Sequence, residues 1–503
     1  MHTTPTPRRW QLLVAASMVA AGLTATMASP VPVGAQGAPD PESPTDLAEP
    51  IAEQIAALQA EKADRSPAES KVDSNLLYAA AEEADGTAVD GAPDLESTAE
   101  VDRSGRTEVD ITAEVDDDLL ARIEDLGGEI LVSVPRFDAV RVDLPVDALV
   151  ELAEDDAVDS VVPAGDAQTN GDAEPSATGS TGSVGAGANE AVATHAADTV
   201  RATYGLDGEG VKVCVLSDGV SSLSARRASG DLPAVDVLPG QAGSGDEGTA
   251  MLELIHDMVP GAELGFATAF GSQAGFAQNI IDLRADGCDV IVDDISYFAE
   301  GAFQDDDVAR AISQVKADGA IYFTAAGNSG NLADGTSGTW QGDFQDSGAS
   351  TSPLPPGLRV HGWGVGAASN PLTAGSSRPI TLQWADPLDR STNDYDLYLL
   401  DSTGTSIVAA STTDQTGTQD PYERVTGSAG QRVVVTREAG AANRYLALYT
   451  HRGQLTHATG GASFGHNASV DAISTAATPA AAAHQAGSPV GPFPAAHSAA
   501  DRS

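Results

Sequence analysis

The sequence predicts an α/β chain: a parallel-sheet domain, preceded by a small α+β domain and interrupted by an antiparallel β-sandwich. Three observations predict it. Over residues 188–370, continuous apolar runs (VKVCVLSDG, AELGFATAF, CDVIVDDIS, GAIYFTAAGNSG) alternate with helical stretches at 250–258, 273–285 and 306–318. Strands buried on both faces and joined by helical crossovers make a parallel sheet. Over 106–165 the order reads strand, helix, strand, strand, helix, strand, which suits a split-βαβ sandwich. Over 371–455 the period becomes two, with Gly, Asp and Asn turns between short strands.

Taken in order, the chain opens with Arg8 and Arg9 ahead of an apolar stretch from Leu12 to Met27, and Val33-Gly34-Ala35 offers a small-residue cleavage site. Residues 1–35 therefore read as a secretory signal peptide, and the expected location is extracellular. Residues 36–105 are rich in Ala, Asp, Glu and Pro, with one helical piece near Ile51–Lys62, and read as a disordered acidic leader. In 106–165, TEVDITAE alternates as a half-buried strand and DDDLLARIEDLG is a helix with acidic start and glycine end. Residues 166–187 read as a Gly/Ser/Thr linker, 456–480 as a strand returning to the parallel sheet, and 481–503 as a flexible tail.

Composition narrows the partners. Across 503 residues there are 73 acidic and 26 basic side chains, a formal charge of −47, with lysine only at Lys62, Lys71, Lys212 and Lys316. Such a surface repels nucleic-acid backbones and anionic membranes, so neither is an expected partner. Cys214 and Cys288 both fall in apolar runs and read as two buried thiols, a disulfide being the alternative.

Polar groups gather where the parallel strands end. Ser217-Asp218-Gly219 ends the first, Asp246-Glu247-Gly248-Thr249 opens a helix, Asp293 and Asp294 end a third strand, and Asn328 follows a fourth in AAGNSG. In one parallel sheet these meet at the carboxyl rim, where ligands bind.

These segments resemble the subtilisin-like serine peptidases. VKVCVLSDGV is similar to the family's aspartate strand, EGTAMLELIHDMVPGAELGFATAF to its H-G-T-H and V-A-P-x-A-x-L stretch, and AIYFTAAGNSG to its oxyanion-asparagine segment. The resemblance implies a peptidase acting on polypeptides, a propeptide in 106–165, and an oxyanion donor in Asn328. It also implies an orienting acid, taken as Asp218 brought into register by a one-residue bulge, because Ser217 stands at the family's aspartate position. Glu247 stands where the family has histidine. The related sedolisin-like peptidases use a Ser-Glu-Asp set, so Glu247 with Asp218 or Asp294 is the expected carboxylate pair. An ordinary glutamate pKa of about 4.3 then favours acid conditions. His256, nine residues on at about 100° each, lies half a rotation away and is no substitute.

The family's nucleophile lies in G-T-S-x-A-x-P. Gly335-Thr336-Ser337 and Gly404-Thr405-Ser406 lack that context and read as turns. The chain is therefore expected to stop short of the nucleophile segment and to be inactive as it stands. Two function classes stay open: a serine endopeptidase homologue, and an exported non-catalytic peptide- or surface-binding protein. No cofactor is expected, with calcium at Asn393, Asp394 and Asp396 as the one metal alternative. Trp384 and Tyr395 read as packing residues. Oligomeric state is not legible.

Overall fold

The computed structural model describes residues 47–170, 191–192, 195–348, 353–364, 367–375 and 379–477. The segments read as signal peptide and tail, and most of the one read as linker, lie outside the described residues. The molecule combines one parallel sheet with several antiparallel sheets.

From residue 47 the leader is folded, which corrects the expectation of disorder. Helix α1 (Glu49–Asp64) and α2 (Ser74–Asp85) are both regular. The Asp73 carboxylate caps α2 by accepting from the Asn75 N–H, and Gly86 ends it at φ 77°. Their stability comes from what they cover. Ile51, Ile55, Leu58 and Tyr78 pack with Tyr398, Leu400, Ile407 and Val434 of the β-sandwich.

The small domain follows with β1 (Arg106–Ala113), α3 (Asp117–Asp125), β2 (Glu129–Val134), β3 (Ala139–Pro145), α4 (Leu149–Ala153) and β4 (Val158–Pro163). Its sheet runs β2-β3-β1-β4 and is antiparallel at every pair. Leu119, Ile123, Leu149 and Leu152 from the helices fill its core against Val109, Ile111 and Val142. Arg141 donates to both Asp110 oxygens and to the Gly165 carbonyl, which fastens the chain as it leaves the domain. That chain then forms a short strand, β5 (Ala167–Thr169), inside the segment read as linker.

The parallel domain contributes α5 (Ala197–Tyr204), β6 (Lys212–Ser217), α6 (Leu223–Ser229), β7 (Val235–Val237), α7 (Glu247–Met258), β8 (Glu263–Thr268), α8 (Gln273–Ala285), β9 (Val290–Asp293), β10 (Ile295–Tyr297), α9 (Asp307–Ala317) and β11 (Ile321–Ala325). With the last described strand, Ile473–Thr475, the six-stranded sheet runs from that strand through β11, β9, β6 and β8 to β7, and every pairing is parallel. Phe276, Ile280 and Leu283 of α8 and Val308, Ile312 and Val315 of α9 cover one face. Leu252 of α7 with Leu264 and Phe266 closes the other. Cys214 and Cys288 form a disulfide with their Cα atoms 5.9 Å apart, correcting the expectation of free thiols. β6 and β9 are neighbours, so residues near their amino ends come within bridging distance.

Between β11 and the last strand sits the β-sandwich. One sheet holds Thr339–Asp343, Tyr445–Tyr449, Pro379–Trp384 and Tyr422–Thr426; the other holds Ile407–Ser411, Tyr395–Leu400, Arg432–Arg437, Asn370–Ala374 and Gln454–Leu455. The sandwich thus begins near Thr339 rather than at 371. Thr339–Asp343 (TWQGD) carries a glycine and too little alternation to be read as a strand. Trp384 and Tyr395 are wholly buried in its core.

Candidate active site

From β6 the chain goes to the edge strand β7 and returns to β8 beside β6, then crosses to β9 and β11 on the other side. In an open parallel sheet that reversal leaves a crevice at the carboxyl ends of the central strands. Ser217 ends β6 there and Asp294 follows β9. The Ser217 hydroxyl donates to Asp294 Oδ1 at 3.0 Å.

Glu247 is the first residue of α7, between β7 and β8. Its carboxyl group hydrogen-bonds Asp294. Burial and then this second acid push the Asp294 pKa far above the usual carboxylate range, so Asp294 holds its proton at neutral pH.

Asp218 is placed differently from expectation. The β6–β8 ladder runs unbroken to Ser217 opposite Thr268, with no bulge. Asp218 is the first loop residue, and its Oδ1 accepts the N–H groups of Gly219 at 2.5 Å and Gly248 at 3.2 Å. It therefore caps the start of α7 instead of standing behind Glu247 as the orienting acid. Gly245 makes the approach possible: its φ is 122°, and a Cβ there would sit 1.9 Å from Asp218 Oδ2.

Asn328 lies just past β11, after Gly327 at φ 87°. Its side-chain Nδ2 donates to the backbone carbonyl of Asn170 at 2.5 Å. Asn170 is the last described residue of the segment that leaves the small domain. β5 pairs antiparallel with β10, Thr169 opposite Ile295, Gln168 opposite Ser296 and Ala167 opposite Tyr297. The Asn170 N–H donates to the Asp294 carbonyl at 2.7 Å, which extends this ladder by one residue, up to the acid pair. Arg452 of the sandwich donates to the Thr169 carbonyl at 3.0 Å. A strand of the chain itself thus lies across the crevice, with the Asn170 carbonyl on the Asn328 amide and the Asn170 N–H beside the carboxyl pair.

Asp218, Glu247, Asp294 and Asn328 are joined by this run of contacts, Asp218 through backbone only. The other candidates lie elsewhere. Ser337 is buried and donates to the Thr459 carbonyl, and Ser406 donates to Asp94 on the exposed sandwich hairpin. His256 sits in the last turn of α7. Asp293 is buried behind the crevice, where its Oδ1 accepts from the Ile295 N–H and Thr324 and faces His466. Against burial, which lowers it, Glu300 and Asp293 carry the His466 pKa up to about 10. Asp394 and Asp396, the calcium alternative, hold the Lys62 ammonium at 2.7 and 2.8 Å, and Asn393 is bonded to Asp386. Among the described residues no cluster of three or more metal-ligating side chains is present.

Sequence reasoning missed Asn170, Ser296, Arg452 and Asn467, all of which meet at the crevice or directly under it. Nothing in a three-residue strand within a polar linker marks it as a cleft occupant. The one signal was the proximity of 167–170 to a domain that the resemblance implies is a propeptide.

No protein-family model and no curated protein matches the chain. Two solved structures of the epidermin leader peptide processing serine protease (EpiP) from Staphylococcus aureus, one of them a serine-to-alanine mutant, align with it. They show 12% and 13% identity, TM-scores of 0.32 and 0.28, and cover 46% of this chain and 63% of theirs. The aligned region therefore spans less than two thirds of those proteins. A likeness this slight assigns no activity, and the function is read from the residues of the crevice.

Proposed function

We propose that this chain is an exported, subtilisin-like serine endopeptidase homologue, held closed by its own propeptide-like domain, and inactive without a nucleophile segment beyond the described residues. One observation carries the reading: the strand Ala167–Thr169 pairs with Ile295–Tyr297 and delivers the Asn170 carbonyl to the Asn328 amide beside a carboxyl pair. Strand addition with a carbonyl on a fixed side-chain donor is how a peptide is held for attack at that carbonyl. The bond so presented is Asn170–Gly171.

In this reading Asn328 stabilises the developing oxyanion. Glu247 accepts the proton of an attacking serine hydroxyl, and Asp294, kept protonated by burial and by Glu247, orients that carboxylate as an acid behind a base. Asp294 thus takes the part first expected of Asp218. The polypeptide substrate replaces the strand Ala167–Asn170 once the propeptide-like domain leaves.

A second reading uses the same crevice for binding alone; the placement of Ser337 and Ser406 outside it favours that reading for the chain as it stands. Two experiments test these. Ala167 is buried, so Ala167→Asp should expel the strand and open the crevice. A labelled peptide Gly-Asp-Ala-Gln-Thr-Asn is then expected to bind the variant and not the wild-type chain; binding to neither rejects both readings. DNA downstream of codon 503 separates them. If it encodes G-T-S-x-A-x-P in any frame, the extended chain should hydrolyse casein and Glu247→Gln should abolish that hydrolysis. An extended chain that leaves casein intact, or no such stretch, favours binding alone.

A further inference from the structure

The side chain of Asn170 is held as closely as its backbone. Its Nδ2 lies 3.0 Å from the Asp294 carbonyl oxygen and 3.0 Å from Ser296 Oγ. A carbonyl oxygen only accepts, so the group facing it is the NH2 and not the amide oxygen. On its other side Ser296 Oγ is 3.1 Å from Asn467 Oδ1. Asn467 is fixed in turn, because its Nδ2 faces the Ile295 and Ala325 carbonyls at 3.0 and 2.9 Å and Thr324 Oγ1 at 2.8 Å. Those two carbonyls hold the amide nitrogen and leave the amide oxygen for Ser296.

A hydroxyl has one proton to give. Ser296 gives it to Asn467, so a lone pair is what Ser296 turns toward the crevice. Both atoms that read the side chain at position 170 are therefore acceptors, and Ser296 and Asn467 are themselves buried.

We propose that Ser296, with its proton directed by Asn467, makes the crevice selective for asparagine at the residue whose carbonyl meets Asn328. An aspartate has the same shape but sets acceptor against acceptor, next to the Asp294–Glu247 pair. A leucine leaves the lone pair of the buried Ser296 and part of the Asp294 carbonyl without a donor. Ser296 is the residue that touches the ligand; Asn467 is a positioning residue that acts through it. This inference rests on the crevice being a peptide site, as proposed above, and the test separates the two.

The test uses the full chain carrying Ala167→Asp and three labelled peptides that end in Asn, Leu or Asp after the common Gly-Asp-Ala-Gln-Thr. The asparagine peptide is expected to bind at least about tenfold tighter than the leucine peptide, and tighter still than the aspartate peptide. Adding Ser296→Ala should bring the Asn-to-Leu ratio close to one. Equal binding of all three peptides, or a ratio that Ser296→Ala leaves unchanged, overturns the selectivity while keeping the peptide site. Binding of none overturns the site and the selectivity with it. Should Ala167→Asp fail to fold, hydrogen exchange at 167–170 in the otherwise unchanged chain decides the same question. Asn170→Leu and Asn170→Asp are expected to speed exchange there at least about tenfold; exchange as slow as in the wild type rejects the proposal.

Discussion

Replacing Lys62 by methionine should release the leader from the sandwich at neutral pH and much less in acid. The Lys62 ammonium lies 2.7 Å from Asp394 and 2.8 Å from Asp396, with side-chain exposures of 7% for the lysine and 20% and 0% for the two acids. Glu423, also fully buried, adds a third acid to the same pocket. A unit charge pair about 3.5 Å apart in an effective dielectric of about 20 interacts by about 5 kcal/mol. Desolvation offsets part of this, and breaking a buried pair by removing one partner costs about 3–5 kcal/mol in practice. Methionine keeps the shape of the stem, so packing contributes little to the change. The loss falls as the orphaned acids take up protons, and should be far smaller near pH 4.5. Native-state hydrogen exchange of the α1 amides at both pH values reads the effect directly. A loss under about 1 kcal/mol at pH 7, or an equal loss at the two pH values, would refute the assignment of Lys62 as the counter-ion of this pocket.

Three further outcomes are expected. Burial raises the pKa of Asp294 and Glu423, and burial with the neighbouring Asp306 carries Asp307 to about 6. Stability from groups raised in this way is complete below the ordinary carboxylate pKa of about 4 and is lost as pH climbs through the folded values. His466, raised to about 10, has the same sign from about 6.5 upward. The urea midpoint should therefore be highest in mild acid and fall between about pH 5 and about pH 9; a midpoint that rises over that range contradicts the picture. Glu247→Gln removes the like charge beside Asp294 and should flatten this fall, whereas an unchanged fall would mean the two carboxyls are not in contact. Reduction of Cys214–Cys288, which spans 74 residues, should cost about 4 kcal/mol, read as a lower thermal midpoint in reductant.

The parts of the fold legible in the sequence were those whose burial leaves a regular pattern. β6, wholly buried from Lys212 to Ser217, reads as a continuous apolar run because both faces of a central parallel strand are covered. The leader was misread for the complementary reason. α1 scatters Glu, Gln and Lys among its alanines and buries Ile51, Ile55 and Leu58 against the sandwich and the rest of the leader, so its helical pattern alone does not show that it is docked. The trace of that packing lies in the partner. Tyr395–Leu400 is buried at every position, although a sandwich strand with one wet face should alternate. One side faces the sandwich core and the other lies under α1.

At the site, Glu247, Asp294 and Asn328 were legible because they stand at strand and helix ends, where a parallel sheet gathers its ligands. Asp218 was assigned by letter rather than by ladder, and the unbroken register through Ser217 turned its carboxylate toward the Gly248 N–H. Asn170, Ser296 and Asn467 come from three remote segments and meet through single hydrogen bonds, which no periodicity announces.

The occupation of the crevice by the chain's own strand is tested most directly by a cross-link. Thr169 and Ile295 face each other across the β5–β10 ladder, at a pair flanked by the Asn170 N–H bond to Asp294. Cα atoms opposite each other in such a pair lie about 4.5–5.5 Å apart, within disulfide range. Both native cysteines are already bonded to each other. The double variant Thr169→Cys, Ile295→Cys should form a second disulfide in the folded chain, seen by mass spectrometry of the unreduced digest. Two free thiols at these positions in folded protein would contradict the account.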